Sequence, residues 1–555
     1  MDPDLNAASP PPGAPVSEIA APRSGLMAAV GSMAAGTTIS RATGVLRVLA
    51  LVYVLGISPL ADAYNLANTI PNMVYDVVLG GVLGATFIPV FIQRLTSTSE
   101  REAWKSISAV VTLAVVLLAA TTAIFLALAP LLIDAFTSLE HVQHTGSAQH
   151  LATQRHVATV LLRWFVPQVF LYGLLSIGGA LLNVRRRFGA PMWVPIANNV
   201  VCIGVLLTFA TVAPSPSLHS VSMSPGQLAL LGAGTTAGVL VQFLLLLPSL
   251  TKAKLGRLRW RWDLKDPAVR TVARLGSWTF GFVVINQAAL FFVIALAFSV
   301  GGSGPVSSYT YAYAFWQMPY AIVAVSVMSA VTPDLATHHS TEDEIAFIAR
   351  FGSGLRSVLA MMIPASVALF LLAKPAIALL LGHGNTQPRQ TAETGMALAE
   401  LSLGLVGFSV FQYVVRALQS MHRTKAAFWL YLGENVINVG TALLLVGPLG
   451  LAGVALSVSV GYSVAAVAGL LLLEHWLGHL GSPGCYRPLG RICASSAVMG
   501  LVIAVVSNLS GALAGPALVA RVLGAAILGA GAYLGTAALV HTSQTRDRPG
   551  RLQDS

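Results

Sequence analysis

Apolar runs of about 18 residues or more recur from residue 26 to residue 541, and polar residues are mostly confined to short stretches between them. The runs fall at 26–56, 61–92, 105–135, 156–183, 190–212, 226–250 and 268–300. They continue at 307–331, 352–382, 394–420, 425–447, 449–476, 487–511 and 518–541. Each is long enough for a helix to cross a hydrocarbon core about 30 Å thick, and far too long for a barrel strand. In lipid, a helix satisfies its backbone polar groups within one segment. The pattern therefore predicts an all-α polytopic membrane protein of about 14 transmembrane helices.

Composition agrees. The chain is 55% hydrophobic and 10% charged, whereas soluble domains carry about 25% charged residues. A net charge of +11 would suit nucleic acid, but these bases sit in short loops beside apolar spans. In a membrane protein that pattern sets orientation and attracts membrane lipid headgroups, so no nucleic-acid partner is expected. Cys202, Cys485 and Cys493 form no close pair and read as apolar fillers. Residues 1–25, rich in Pro, Ala and Ser, read as a disordered cytoplasmic tail, and the polar stretch 542–555 reads as a second one.

The loops alternate in charge. On the side of the N-terminus lie Arg94, Arg101 and Lys105, then Arg185, Arg186 and Arg187, then eight bases within 252–274. Arg423 with Lys425, Arg487 with Arg491, and Arg546, Arg548 and Arg551 continue the series, against only Arg155 and Arg389 opposite. By the positive-inside bias both termini are cytoplasmic. Glu342, Asp343 and Glu344 dilute the bias in one loop.

Charges within the runs need a reason. Arg41 and Arg47 lie in the first run, and a charge at bilayer depth normally faces an aqueous cavity or a partner. Six helical residues put them about 9 Å apart along the axis and ~120° apart around it, and a bend at Gly44 would bring both onto one cavity wall. Two cations in one cavity point to anionic cargo; the structural alternative is that each neutralises a buried acid or caps a helix. Asp62 stands at the outer end of the second run and Asp76 near its middle. Asp76 reads either as counter-charge to one of the arginines or as a cation or proton site. Glu434 and Asn438, one helical turn apart, read as a satisfied interhelical contact. Arg163, Arg356, Arg416 and Arg521 read as headgroup anchors.

Small residues in 80–84 and 231–238 predict close helix packing, and Pro71, Pro167, Pro319 and Pro364 predict hinges. Enzyme signatures are missing: there is no P-loop, His-Glu-x-x-His or Gly-x-Ser-x-Gly set. His141, His144, His150 and His156 are irregularly spaced in an outer loop and read as polar surface, with no metal site.

Several segments, in order, resemble the MurJ/MviN family of the MOP transporter superfamily. They are Thr-Ile-Ser-Arg-Ala-Thr-Gly-Val-Leu-Arg at 38–47, Ala-Asp-Ala-Tyr-Asn-Leu-Ala-Asn-Thr-Ile-Pro-Asn at 61–72 and Ala-Thr-Phe-Ile-Pro-Val at 85–90. The stretch 181–199, the pieces within 354–365, His383-Gly384 and 414–425 add to the likeness, which covers about residues 26–480. The resemblance implies two six-helix lobes around a central cavity, with two C-terminal helices forming a groove for a polyprenyl tail. On that plan 1–25 is the tail, 26–250 the N-terminal lobe, 251–274 the basic cytoplasmic loop, 275–480 the C-terminal lobe, 487–541 the lipid-tail groove and 542–555 the closing tail.

The resemblance further implies a flippase that carries the lipid-linked peptidoglycan precursor, lipid II, across a bacterial plasma membrane by alternating access. Its partner would be this polyprenyl-pyrophosphate-linked glycan, with cell-wall synthesis proteins as further candidates. No cofactor is expected; coupling to the membrane potential or to a monovalent cation is. Arg41 and Arg47 match the family's pyrophosphate-engaging arginines, and Asp62 its acid at the start of the second span. Two departures stand out: Tyr75, followed by Asp76, and Ala314 occupy positions where the family carries arginine. Three other readings therefore stay open. They are a flippase for another undecaprenyl-pyrophosphate-linked glycan, a MATE-like exporter, and a non-transporting cell-wall scaffold.

Overall fold

A computed structural model describes residues 23–77, 84–139, 148–185, 187, 189–478, 483–509 and 515–546, and among them it contains helices and no strand. Residues 1–22 and 547–555 of the two tails, His141, His144, Arg186 and residues 80–83 of the 80–84 motif lie outside the described residues, whereas 23–25 and 542–546, expected as tail, continue the first and last helices.

The first helices are α1 (Arg23–Leu55), α2 (Pro59–Tyr75), α3 (Gly84–Ser97), α4 (Glu100–Ala127), α5 (Ala129–Thr137), α6 (Ala148–Phe165) and α7 (Pro167–Val184). There follow α8 (Gly189–Val212), the short α9 (Leu218–Ser222), α10 (Pro225–Lys252) and α11 (Pro267–Ser299). Next, α12 (Pro305–Pro319) passes through a π-helical turn, Tyr320–Ala324, into α13 (Val325–Ser340), and α14 (Glu344–Leu381) follows. Then come α15 (Pro388–Leu403), α16 (Leu405–Ser420), α17 (Thr424–Leu449), α18 (Leu451–Leu477), α19 (Pro483–Leu509) and α20 (Pro516–Arg546).

Eleven stretches are long and apolar enough to cross a membrane, and the pair α15–α16, bent by 46°, makes twelve. The two remaining expected spans are α11, with its described apolar run Val283–Ser299, and α2 with α3, whose junction falls partly outside the described residues. The breaks follow the chemistry. Proline at the start of α5 and of α7 supplies no backbone N–H to the preceding turn, so the third and fourth spans each divide there. Pro319 immediately precedes the π-helical turn in the eighth span.

Helix starts carry their own caps. Ser58 accepts from the Ala61 N–H at the start of α2, and Asp343 from the Ala346 N–H before α14. Asp266 does the same for the Ala268 N–H, with Pro267 opening α11. Helix α12 is different. Gly304 at its N-cap, held at φ +88°, has no side chain with which to cap.

Helix α8 packs between α1 and α10, and α10 also lies against α6 and α7. In the second half α18 packs on α15, α16 and α17, while α14 lies against α15. Helices α19 and α20 pack on each other and on α14, where Tyr533 donates to the Ala360 carbonyl at 2.6 Å. The glycines of 231–238 act in packing: a side chain at Gly232 would meet Trp164, one at Gly234 Val205, and one at Gly238 Asn198. Large apolar side chains such as Leu444, at 77% exposed, face outward, as expected where lipid is the solvent.

Candidate substrate site and interhelical latch

Helix α1 runs unbroken through Gly44. The helix does not break there as expected; Gly44 faces α8, where a side chain would make only ordinary contact with the Asn199 amide. That amide donates to the Ser40 carbonyl at 3.2 Å and to the Thr43 hydroxyl at 3.0 Å. On a continuous helix the two arginines keep different directions. Arg41 is exposed, while Arg47 is half-buried within reach of the Tyr64 hydroxyl, beside Tyr172 and Cys202. The Tyr64 hydroxyl is held in turn by Thr235 at 3.0 Å. Among the described residues, neither arginine forms an ion pair. Arg47 is thus a cation beside neutral tyrosines, with no carboxylate paired to it among the described residues.

The departures from the family pattern gain a context here. The Tyr75 ring lies 4.7 Å from that of Tyr172, so it extends the aromatic wall around Arg47. Asp76 does not serve as counter-charge to an arginine; its carboxylate accepts from the Gln287 side chain of α11 at 3.3 Å. Arg416, expected as a headgroup anchor, lies instead at the Tyr320 hydroxyl beside the π-helical turn, six residues past Ala314. Sequence reasoning missed Tyr64 and Tyr172, because a tyrosine in an apolar run looks like core until its neighbours are known.

The two halves meet where α1 ends. Asp62, 2% exposed, accepts from the Ser307 N–H in the first turn of α12 at 2.7 Å. It therefore supplies from α2 the cap that Gly304 lacks, with its negative charge at the positive end of the α12 dipole. The Asn65 amide donates to the Ser307 hydroxyl at 3.0 Å and to the Tyr311 hydroxyl at 3.1 Å. Across the same seam the Asn385 amide donates to the Val54 carbonyl at 2.8 Å, and its backbone N–H to the Tyr53 carbonyl at 3.3 Å. Gly304 must be glycine on a second count: a side chain would press on the Ile57–Ser58 backbone. These contacts tie α1 and α2 to α12 and to the connection between α14 and α15 at one end of the bundle.

A second polar cluster lies in the later half. Asn438 is satisfied by Ser457 at 2.9 Å, as a plain interhelical contact would be. Glu434 is not. It is 1% exposed, near Tyr309, Tyr313 and Tyr462, and neither carboxylate oxygen has a hydrogen-bond partner among the described residues. A buried group of this kind normally finds a partner or an ion.

Known proteins give the context. The lipid II flippase MurJ of Burkholderia cenocepacia is 27% identical over 459 residues, covering 81% of this chain and 83% of that protein. The probable lipid II flippase MurJ of Thermotoga maritima is 24% identical over 473 residues, covering 84% and 88%. Among solved structures, a lipid II flippase MurJ in an inward closed conformation superposes with a TM-score of 0.75 at 21% identity, covering 92% of this chain and 99% of that one. An inward-facing MATE family multidrug resistance transporter gives a TM-score of 0.64 at 17% identity, over 79% and 95%. These likenesses identify the MOP transporter fold. The model of the family described as lipid II flippase MurJ matches residues 51–522, beginning just after Arg41 and Arg47, and the chain belongs to that family.

Proposed function

We propose that this protein moves lipid II from the cytoplasmic to the outer leaflet of a bacterial plasma membrane by alternating access, with both termini cytoplasmic. Family membership supports the cargo, and Arg47 carries the mechanistic reading: a half-buried guanidinium among hydroxyls, with no carboxylate paired to it among the described residues. Arginine suits this task because its planar fork binds phosphate oxygens in pairs and keeps its charge. Arg41, exposed and nearer the cytoplasmic end, is the first contact for an arriving pyrophosphate, and Arg47 the deeper one.

In this reading the seam around Asp62 and Ser307 is the outer gate, closed while the cavity faces the cytoplasm. The protein makes and breaks no covalent bond. The test is lipid II accessibility at the outer leaflet of cells depleted of this protein. Loss of outer lipid II with accumulation inside, reversed by the wild-type chain, supports the reading. Unchanged lipid II in both leaflets, in cells holding no second flippase, rejects the cargo.

Resetting needs a driving force. The membrane potential supplies about 2.3 kcal/mol per charge per 100 mV. For a coupling ion, a proton or monovalent cation, the unpartnered Glu434 is a better seat than Asp62 or Asp76, both already hydrogen-bonded. In proteoliposomes, Glu434→Gln is expected to bind lipid II normally while its flipping rate loses its response to an imposed proton or sodium gradient. A response equal to that of the wild type would remove Glu434 from this role.

A further inference from the structure

The densest charge away from the cavity lies in the strap 253–266 between α10 and α11. It is fastened lengthwise to α4. The Arg259 N–H donates to the Ser108 hydroxyl at 3.2 Å, and the Arg261 N–H to the Thr112 hydroxyl at 3.0 Å. Gly256 rests on the Trp104 ring, where any larger residue would collide. Trp104 to Thr112 is about 12 Å along a helix, so the strap climbs beside the membrane-crossing part of α4.

In an extended segment, alternate residues face opposite ways. Arg257, Arg259 and Arg261 share one register, while Leu258, Trp260, Trp262 and Leu264 share the other. This apolar edge is uncovered: Trp260 is 70% exposed and Trp262 58%. Tryptophan is enriched at the level of lipid headgroups, where an apolar ring and a polar N–H are both accommodated. Between strap and α4 lies a cleft of about 920 Å³, lined by Arg101, Lys105, Lys254 and Arg257 with Trp104, and bordered also by Glu100 and Trp260.

The nearby acids are largely committed. Asp263 pairs with Arg261 at 2.8 Å, Glu100 with Arg185 at 3.0 Å, and Asp266 accepts from Ser106 and the Ala268 N–H. Among the described residues, Arg101, Lys105, Lys254, Arg257 and Arg259 form no ion pair. We propose that this cleft binds the phosphate of an anionic phospholipid headgroup, with the Trp260–Trp262 edge seated in the interface of the same leaflet. Charge complementarity and an exposed apolar edge on one segment favour a lipid surface over a soluble polyanion. Binding there would hold the first turns of α11 and α4 at a set depth in the membrane.

The experiment uses the full chain in vesicles of phosphatidylcholine and phosphatidylglycerol, with brominated acyl chains on one lipid or the other. Tryptophan fluorescence is read, and Trp260→Phe/Trp262→Phe provides the background to subtract. Brominated phosphatidylglycerol is expected to quench the strap signal more than brominated phosphatidylcholine, and the preference to fall with salt. Arg257→Gln/Arg259→Gln removes two exposed charges and leaves the Arg261–Asp263 pair intact. It is expected to lower affinity for the anionic lipid about 30-fold. Equal quenching by the two lipids, or a preference that survives the double variant, overturns the proposal. So does a strap signal insensitive to both lipids, which would put the tryptophans in water and point to a soluble anionic partner.

Discussion

Arg47→Ala is expected to abolish rescue of lipid II export in depleted cells, while Arg41→Ala weakens it. A hydrogen bond to a charged group contributes roughly 1.5–3 kcal/mol, or about 10- to 150-fold in binding, and a site with few other cations has little to replace it. The two positions differ because Arg47 is half-buried within reach of Tyr64 whereas Arg41 is exposed and must order its side chain on binding. The fold should survive the change. Arg47 has no carboxylate partner among the described residues, so its removal strands no counter-charge. Arg47→Lys should recover only part of the activity, since lysine keeps the charge and loses the fork. The measurement is outer-leaflet lipid II at matched expression of each variant. Full rescue by Arg47→Ala would reject the site, and full rescue by the double alanine variant would favour a scaffold that carries nothing.

The second large effect is expected at Asp62. Asp62→Ala leaves the Ser307 N–H buried without its acceptor and α12 without a cap, because Gly304 cannot provide one. An unsatisfied buried donor costs about 1–3 kcal/mol. That cost falls only on the state in which α2 and α12 are joined, so the balance between closed and open gate moves by about 5- to 150-fold. Spin labels at the exposed His150 and His383, one on each side of the seam, report it in a cysteine-free background. The wild type should show a single short distance and Asp62→Ala a growing longer one. Asp62→Asn, which keeps an oxygen to accept the bond, should fall between them. Identical distance distributions in all three proteins would mean that Asp62 holds no gate.

Reading the chain alone was enough for the class of molecule. Long apolar runs leave one way to satisfy the backbone in lipid, so the helical bundle, its approximate span count and its membership of a transporter family were all legible. So was the unusual placing of Arg41 and Arg47, because a charge in an apolar run stands out without any knowledge of its neighbours. The relations between distant segments were not legible. Asp76, which by sequence reads either as a counter-charge or as a cation or proton site, faces Gln287, 211 positions away; Arg416, which reads as an anchor, lies against Tyr320. Asp62 capping a helix of the other half, Tyr64 lying beside Arg47, and Glu434 lacking any described partner are likewise facts of packing. Hydropathy depends on each residue and its near neighbours, so it survives in one dimension. Hydrogen bonds and buried charge depend on which helix faces which, and only the folded bundle decides that.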